Sequence, residues 1–298
     1  MKYRAEIDGL RAVAVIPVIL FHAGFEFFSG GFVGVDVFFV ISGYLITMIL
    51  IEDIERNSFN LIEFYERRAR RLLPALFFVM LICIPFAFLL MLPDAMKSFS
   101  QSLIAVSLFV SNILFWRESG YFATAAEEKP LLHTWSLAVE EQYYLFFPLF
   151  LLFAWRFFKE RVFGVIFVVA AISLLISEWG WRNSAIANFY LAPARAWELL
   201  AGSIAALIVQ KRGVRGNGIL SLLGLAAIVI AILIYDSTTP FPSVYTLLPI
   251  TGCVFLVLFA DKQTIAARLL SNKIFVGIGL ISYSAYLWHQ PLFAFAEL

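Results

Sequence analysis

Charge, cysteine and linkers are what this chain has little of. Charged residues fill 14% of its 298 positions and hydrophobic residues 62%, with a mean hydropathy of +0.88; soluble domains lie nearer about 25% charged and about 45–50% apolar. So few charges exclude an ordinary water-soluble domain and leave a chain made mostly of membrane spans. The net charge is only +1, which excludes the broad basic field of a nucleic-acid binder; what matters is where the positive residues sit. Cys83 and Cys253 both fall within apolar segments, where a thiol behaves as a small hydrophobe, so neither a disulfide nor a metal site is expected and no redox compartment follows. There is no repeat, low-complexity tract or linker, and residues 1–298 read as one integral membrane domain. The first apolar run has no small-residue cleavage pattern after it and is followed by further spans, so it reads as a span rather than a leader. A G-x-S-x-G turn is also missing, which removes the commonest sign of a serine nucleophile.

What is present is a series of apolar segments near 10–28, 32–51, 72–92, 99–115, 138–155, 162–178, 189–209, 218–235, 243–260 and 274–297. They predict an all-α polytopic transmembrane bundle of nine or ten membrane segments. Lys and Arg cluster at 67–71, 156–161, 211–215 and 262–273, and such clusters mark the cytoplasmic side. An even number of crossings must then separate 67–71 from 156–161, yet three apolar segments lie between them. The segment 99–115 carries Gln101, Ser111 and Asn112 and is the one expected not to cross, being re-entrant or packed inside the bundle. This places the N-terminus in the cytoplasm and the stretch 117–137 outside.

Two residues of the first span stand in register. Arg11 and His22 are eleven positions apart, which on a helix returns to nearly the same face about 16 Å deeper, roughly half a bilayer core. A guanidinium at the membrane edge suits anions, and a neutral imidazole at mid-depth suits proton transfer. A lone intramembrane histidine also serves simply to hydrogen-bond neighbouring helices, but intramembrane ionisable groups are functional by default. Asp8 either fixes the Arg11 fork or caps the helix. The loop FYERRARRLLPA at 64–75 offers two arginine faces, Arg68 with Arg71 and Arg67 with Arg70. Four arginines there either anchor and orient the chain or clamp phosphates through bidentate forks. A coenzyme A thioester, with phosphates at one end and a reactive acyl carbon at the other, has the shape to lie from that loop to His22.

The blocks YRAEIDGLRAVAV, FHAG at 21–24, GGFVGVDVFFVISGYLIT at 30–47, FYERRARRLLPAL at 64–76, HTWSLAVEEQYY at 133–144 and SYSAYLWHQP at 282–291 together resemble the acyltransferase 3 family of integral membrane acyltransferases. The resemblance is to its bacterial branch, which O-acetylates lipopolysaccharide O-antigen, peptidoglycan and other surface glycans. It implies acetyl-CoA as a co-substrate taken from the cytoplasm, no permanently bound cofactor, a glycan acceptor on the outer side, and a multi-pass protein of the bacterial plasma membrane. It also implies that Arg11 and His22 match the family's basic-residue-to-histidine spacing, with His22 as catalytic base, and that Arg68 and Arg71 match its paired-arginine motif and contact the CoA phosphates. Many relatives of this branch carry a further span and a C-terminal extracytoplasmic esterase-like domain, so an end at Leu298 reads either as a standalone form or as a shortened C-terminus, the abrupt AFAEL favouring the latter.

Further polar residues in apolar surroundings complete the set of candidates. Asp36, in the glycine-rich start of the second span, either orients His22, pairs with an arginine or makes a purely structural tie, and Ser42 deeper in that span lines a pocket. His133, Trp135, Ser136, Glu140 and Glu141 form an expected acceptor site at the outer mouth, where aromatic residues otherwise act as an anchoring belt. Arg195 and Glu198, three apart, are expected to neutralise each other. Ser282, Tyr286 and His289 repeat at i, i+4 and i+7 and give one polar stripe facing the bundle interior. A second reading, a proton-coupled transporter, rests on His22, Asp36, Glu140 and His289 within spans, although the inverted-repeat signature of such proteins is not evident.

Overall fold

The computed structural model describes residues 3–119 and 128–297. Part of the predicted outer stretch 117–137, and Leu298, lie outside the described residues. All regular structure among the described residues is helical: α1 (Ala5–His22), α2 (Gly34–Glu55), α3 (Leu61–Leu90), α4 (Pro93–Ser107), α5 (Ser111–Glu118), α6 (Thr134–Phe158), α7 (Val162–Asn183), α8 (Ala185–Tyr190), α9 (Ala192–Arg212), α10 (Gly218–Ile234), α11 (Leu247–Phe259), α12 (Ile265–Leu270) and α13 (Lys273–Glu297), with short 3-10 turns between them. By length and composition, 31–55, α3, α6, α7 and 185–212 qualify as membrane spans, and α10 and α11 are shorter apolar helices. This is a polytopic membrane protein.

Local chemistry sets several boundaries. α1 begins earlier than its apolar pattern suggests because Glu6 and Asp8 sit in its first turn, where carboxylates oppose the helix dipole. It stops at His22, ahead of Gly24 at φ +78°. The Asn60 and Asn217 side chains cap α3 and α10 by accepting from the amides two and three residues on. The apolar segment 99–115 forms no continuous span: α4 ends at Ser107, Phe109 takes a left-handed φ of +53°, and α5 starts at Ser111. Ser111 and Asn112 are buried; Ser111 donates to the Thr134 carbonyl (3.0 Å) and Asn112 to that of Tyr190 (3.1 Å), so the broken segment is held inside the bundle.

The packing separates a core from a rim. On α3 and α7 large apolar residues such as Phe78, Phe88, Phe167 and Leu175 are exposed, as a lipid-facing surface requires. The inner helices touch through small residues. α2 and α9 run parallel and so close that a Cβ on Gly43 would overlap the Leu199 carbonyl and one on Gly202 that of Val40. Beside them Thr47 donates to the Gly43 carbonyl, and its hydroxyl lies against that of Ser203, each at 2.7 Å. This is how helices associate where lipid removes the hydrophobic drive. α1 and α13 also run parallel, Gly279 lying against the Asp8 backbone and His22 against His289 further along.

One buried charge cluster ties these layers. Arg195, 1% exposed, reaches Asp36 Oδ1 at 2.8 Å and Glu198 Oε1 at 3.1 Å, donates from Nε to the Phe189 carbonyl at 3.1 Å, and lies near the rings of Trp135, Phe189 and Phe241. The expected Arg195–Glu198 pair is thus a triad, and its third member is Asp36. Of the readings open for Asp36 the structure shows the pairing with an arginine: its carboxylate is fully buried against Arg195, away from the cavity lined by Arg11, Arg68 and Arg71, because an ionised acid in the interior takes the nearest cation.

The chain's positive ends collect on one side. Arg67 pairs with Asp53, Gln210 with Glu55, and Arg4 donates to the Val257 and Ala260 carbonyls; α6 meets α3 where Tyr65 donates to the Leu145 carbonyl and then continues toward its basic end. The four basic clusters therefore share one end of the bundle, and His22, His133 and the α8 turn lie toward the other. Two outcomes follow. Arg195→Leu strands two buried carboxylates and is expected to cost about 3–5 kcal/mol, read as a lowered thermal unfolding midpoint in detergent. Gly43→Val, which forces α2 from α9, is expected to lower that midpoint as well, whereas Gly164→Val, at a position with open space around it, leaves it unchanged.

Candidate active site

A cavity of about 240 Å³ opens among α1, α2, α3, α6 and α13. Arg11 from α1 and Arg68 and Arg71 from α3 stand in its wall, together with Ser42, Ser136, Glu140, Glu141, Ser282 and Tyr286. Helical spacing explains the arginine selection. Arg68 and Arg71 share the face turned to the cavity, whereas Arg67 (pairing with Asp53 at 3.3 Å and Glu63 at 3.8 Å) and Arg70 (pairing with Glu66 at 2.6 Å) are more than half exposed. Arg67 and Arg70 are therefore corrected to surface residues, and the four-arginine clamp reduces to two, joined by Arg11.

These cations are held in different ways. Asp8 Oδ1 lies 3.2 Å from Arg11, while Tyr3 donates to the same carboxylate at 2.7 Å. Asp8 thus fixes the Arg11 fork and is no cap; the N-cap position of α1 is Arg4. Arg68 stacks 3.5 Å over the Tyr144 ring and faces Glu141 at 3.6 Å. Arg71 has no acidic partner among the described residues. Three guanidinium groups and the carboxylates of Glu140 and Glu141 thus line the cavity near the basic end of the bundle, Arg71 being, among the described residues, the cation of the three without a salt-bridge partner.

Glu140 and Glu141 correct the expected outer-mouth site. α6 begins at Thr134, so the two acids lie about two turns into it, roughly 10 Å along the axis, opposite the arginines. Glu140 accepts hydrogen bonds from Ser42 and Tyr144, and Glu141 faces Arg68. Trp135 is corrected too: it packs on Phe189 at 4.6 Å and Tyr190 at 5.8 Å, beneath Arg195, and takes no part in the cavity wall. Tyr144 and Tyr283 were not foreseen. Tyr144 follows Glu140 by one helical turn and Tyr283 follows Ser282, so both were within reach of a spacing argument.

Beyond this cavity all three histidines of the chain meet. The ring centre of His289 is 5.0 Å from that of His22 and 5.2 Å from that of His133, although the three come from α1, from the N-cap of α6 and from α13. His133 and His289 are 4% and 3% exposed. Cavity and histidines are joined at Tyr286, whose hydroxyl lies in the cavity wall, 2.6 Å from Ser136 Oγ, and donates to the His133 carbonyl at 3.1 Å. The polar stripe of α13 is thus continuous: Ser282 and Tyr286 face the cavity and His289 extends it to the other imidazoles.

Two ring tautomers follow from the backbone. Nδ1 of His22 lies 2.8 Å from the Val18 carbonyl and Nδ1 of His289 lies 2.6 Å from that of Tyr286. A carbonyl oxygen only accepts, so each Nδ1 carries the proton and each neutral ring keeps its lone pair on Nε2, where a base needs it. Among the described residues no group of three His, Cys, Asp or Glu side chains has the geometry to hold a metal ion.

A family model described as an acyltransferase domain matches residues 4–298. The O-acetyltransferase OatA of Staphylococcus aureus is 36% identical over 315 residues, covering 99% of this chain and 51% of the relative. The peptidoglycan O-acetyltransferase OatA of Listeria monocytogenes is 34% identical, covering 98% of this chain and 49% of the relative. A putative O-acetyltransferase of Staphylococcus aureus is 33% identical, covering 100% of this chain and 52% of the relative. The chain spans about half the length of the curated relatives it matches, and no solved structure matches it significantly. With nearly every residue covered by the family model and a third of its positions shared with O-acetyltransferases, the chain belongs to the acyltransferase 3 family.

Proposed function

We propose that this protein transfers an acetyl group from acetyl-CoA, bound from the cytoplasmic face of a bacterial plasma membrane, to a hydroxyl of a glycan on the outer side, peptidoglycan being the acceptor named for one of its relatives. One observation carries the reading: Arg11, Arg68 and Arg71 share a cavity at the basic end of the bundle, and Tyr286, in its wall, stands between that cavity and the imidazoles of His133 and His289. Guanidinium forks bind phosphate oxygens in bidentate fashion, so they suit the nucleotide end of the donor, and Arg71, without an acidic partner, is available for it. Glu141 and Tyr144 hold Arg68 in place. The N-terminus lies on the basic side, which the positive-inside rule makes cytoplasmic.

The acceptor oxygen becomes nucleophilic as it loses its proton. Nε2 of His22, the lone-pair nitrogen of a ring fixed at Nδ1, takes that proton while the oxygen bonds to the acyl carbon. The carbon–sulfur bond then breaks and the sulfur leaves with its electron pair. No cofactor is needed beyond the co-substrate.

In nanodiscs, purified protein is expected to bind acetyl-CoA, and Arg68→Ala with Arg71→Ala to weaken that binding at least tenfold, about 1.4 kcal/mol; Arg67→Ala with Arg70→Ala changes it less than threefold. Equal losses from both pairs in isothermal titration would contradict the assignment. His22→Ala is expected to lower acetyl transfer at least about a hundredfold with donor binding kept, and transfer at the wild-type rate would remove the histidine from the mechanism.

A further inference from the structure

We propose that His289 is a positioning residue of the same reaction, accepting the Nε2 proton of His22 once that ring has become an imidazolium. The inference deepens the function above and rests on it. An imidazolium inside a bundle surrounded by lipid is costly unless something nearby accepts its hydrogen bond. Around His22 that acceptor is at hand. The two ring centres are 5.0 Å apart, about the separation of two imidazoles joined edge to edge by an N–H···N bond of ordinary length. His289 presents the right atom: its Nδ1 is engaged by the Tyr286 carbonyl at 2.6 Å, which leaves Nε2 as the lone-pair nitrogen, and this atom is buried without a hydrogen-bond partner.

A buried polar atom without a partner is costly, and the ring of His133 lies 5.2 Å beyond. The unpartnered Nε2 of His289 beside His22 is explained if the site is built for a proton that is present only during the reaction. The hydroxyl proton of the acceptor goes to Nε2 of His22 as the oxygen–carbon bond forms. The resulting N–H is shared between Nε2 of His289 and the departing sulfur while the carbon–sulfur bond breaks, and the proton is then given to that thiolate, so both rings end neutral.

The test is steady-state acetyl transfer by the full chain in nanodiscs, with acetyl-CoA binding measured separately on each variant. His289→Ala is expected to lower kcat about a hundredfold and leave the KM for acetyl-CoA within twofold, with free imidazole restoring part of the rate. His289→Gln fills the space and retains an acceptor oxygen; it is expected to fold and bind donor like wild type and to keep a higher kcat than the alanine variant. Should alanine be too unstable to purify, His289→Leu, which fills the space without an acceptor, decides the matter through its kcat, with a fall of at least about tenfold supporting the proposal and wild-type turnover contradicting it. The proposal is overturned if both variants transfer at the wild-type rate, or if the loss comes with weakened donor binding and no imidazole rescue, which would make His289 a packing residue. If the wild-type chain binds no acetyl-CoA and transfers nothing, the broader function falls and this inference with it; a wild-type chain that is active beside an unaffected His289→Leu overturns this inference alone.

Discussion

Inside a bundle bathed in lipid, every charge and every ring nitrogen must find its partner within the protein, and that constraint orders this molecule. Water is not there to solvate a stray group, so each polar side chain either pairs, at a cost in desolvation, or stays unpaired at a larger cost. Arg195 shows the first solution: two carboxylates and a backbone carbonyl on one guanidinium, with aromatic rings around it. His289 shows the second, with its Nε2 buried and without a partner.

The two clusters divide the labour. Asp36, Arg195 and Glu198 bind α2 to α9 and hold Trp135 at the start of α6, which fixes where His133 stands. The close backbone contact at Gly43 and Gly202 brings the same helices together and sets one wall of the cavity through Ser42. On the other side Gly279 lets α13 lie against α1, which brings His289 beside His22 and Tyr286 beside Ser136. Rigid helix pairs thus position a cationic entrance and an imidazole centre at different depths of one bundle.

Much of this was legible in the sequence because helical periodicity acts locally. The apolar segments, the Arg11 to His22 register, the Arg68 and Arg71 face, the break within 99–115 and the stripe of Ser282, Tyr286 and His289 all depend on neighbours within a few turns. What was not legible depends on packing between distant segments. The partner of Asp36 lies on α9, 159 positions away, so its carboxylate read as a site group. Arg67 and Arg70 carry the same chemistry as Arg68 and Arg71, and only the direction in which α3 docks separates them. Glu140 and Glu141 read as an outer acceptor site because the helix start at Thr134, which sets their depth, was not fixed. The meeting of His22, His133 and His289 could be seen only once α1, α6 and α13 were placed together.

The central claim is that one ligand spans from the arginines to the imidazoles. Cryo-electron microscopy of the protein in nanodiscs with a non-transferable thioether analogue of acetyl-CoA tests it most directly. The account predicts the nucleotide phosphates beside Arg11, Arg68 and Arg71, with the carbon standing for the acyl carbon next to Nε2 of His22. Phosphates seated away from those arginines, or an acyl carbon remote from the histidines, would contradict it.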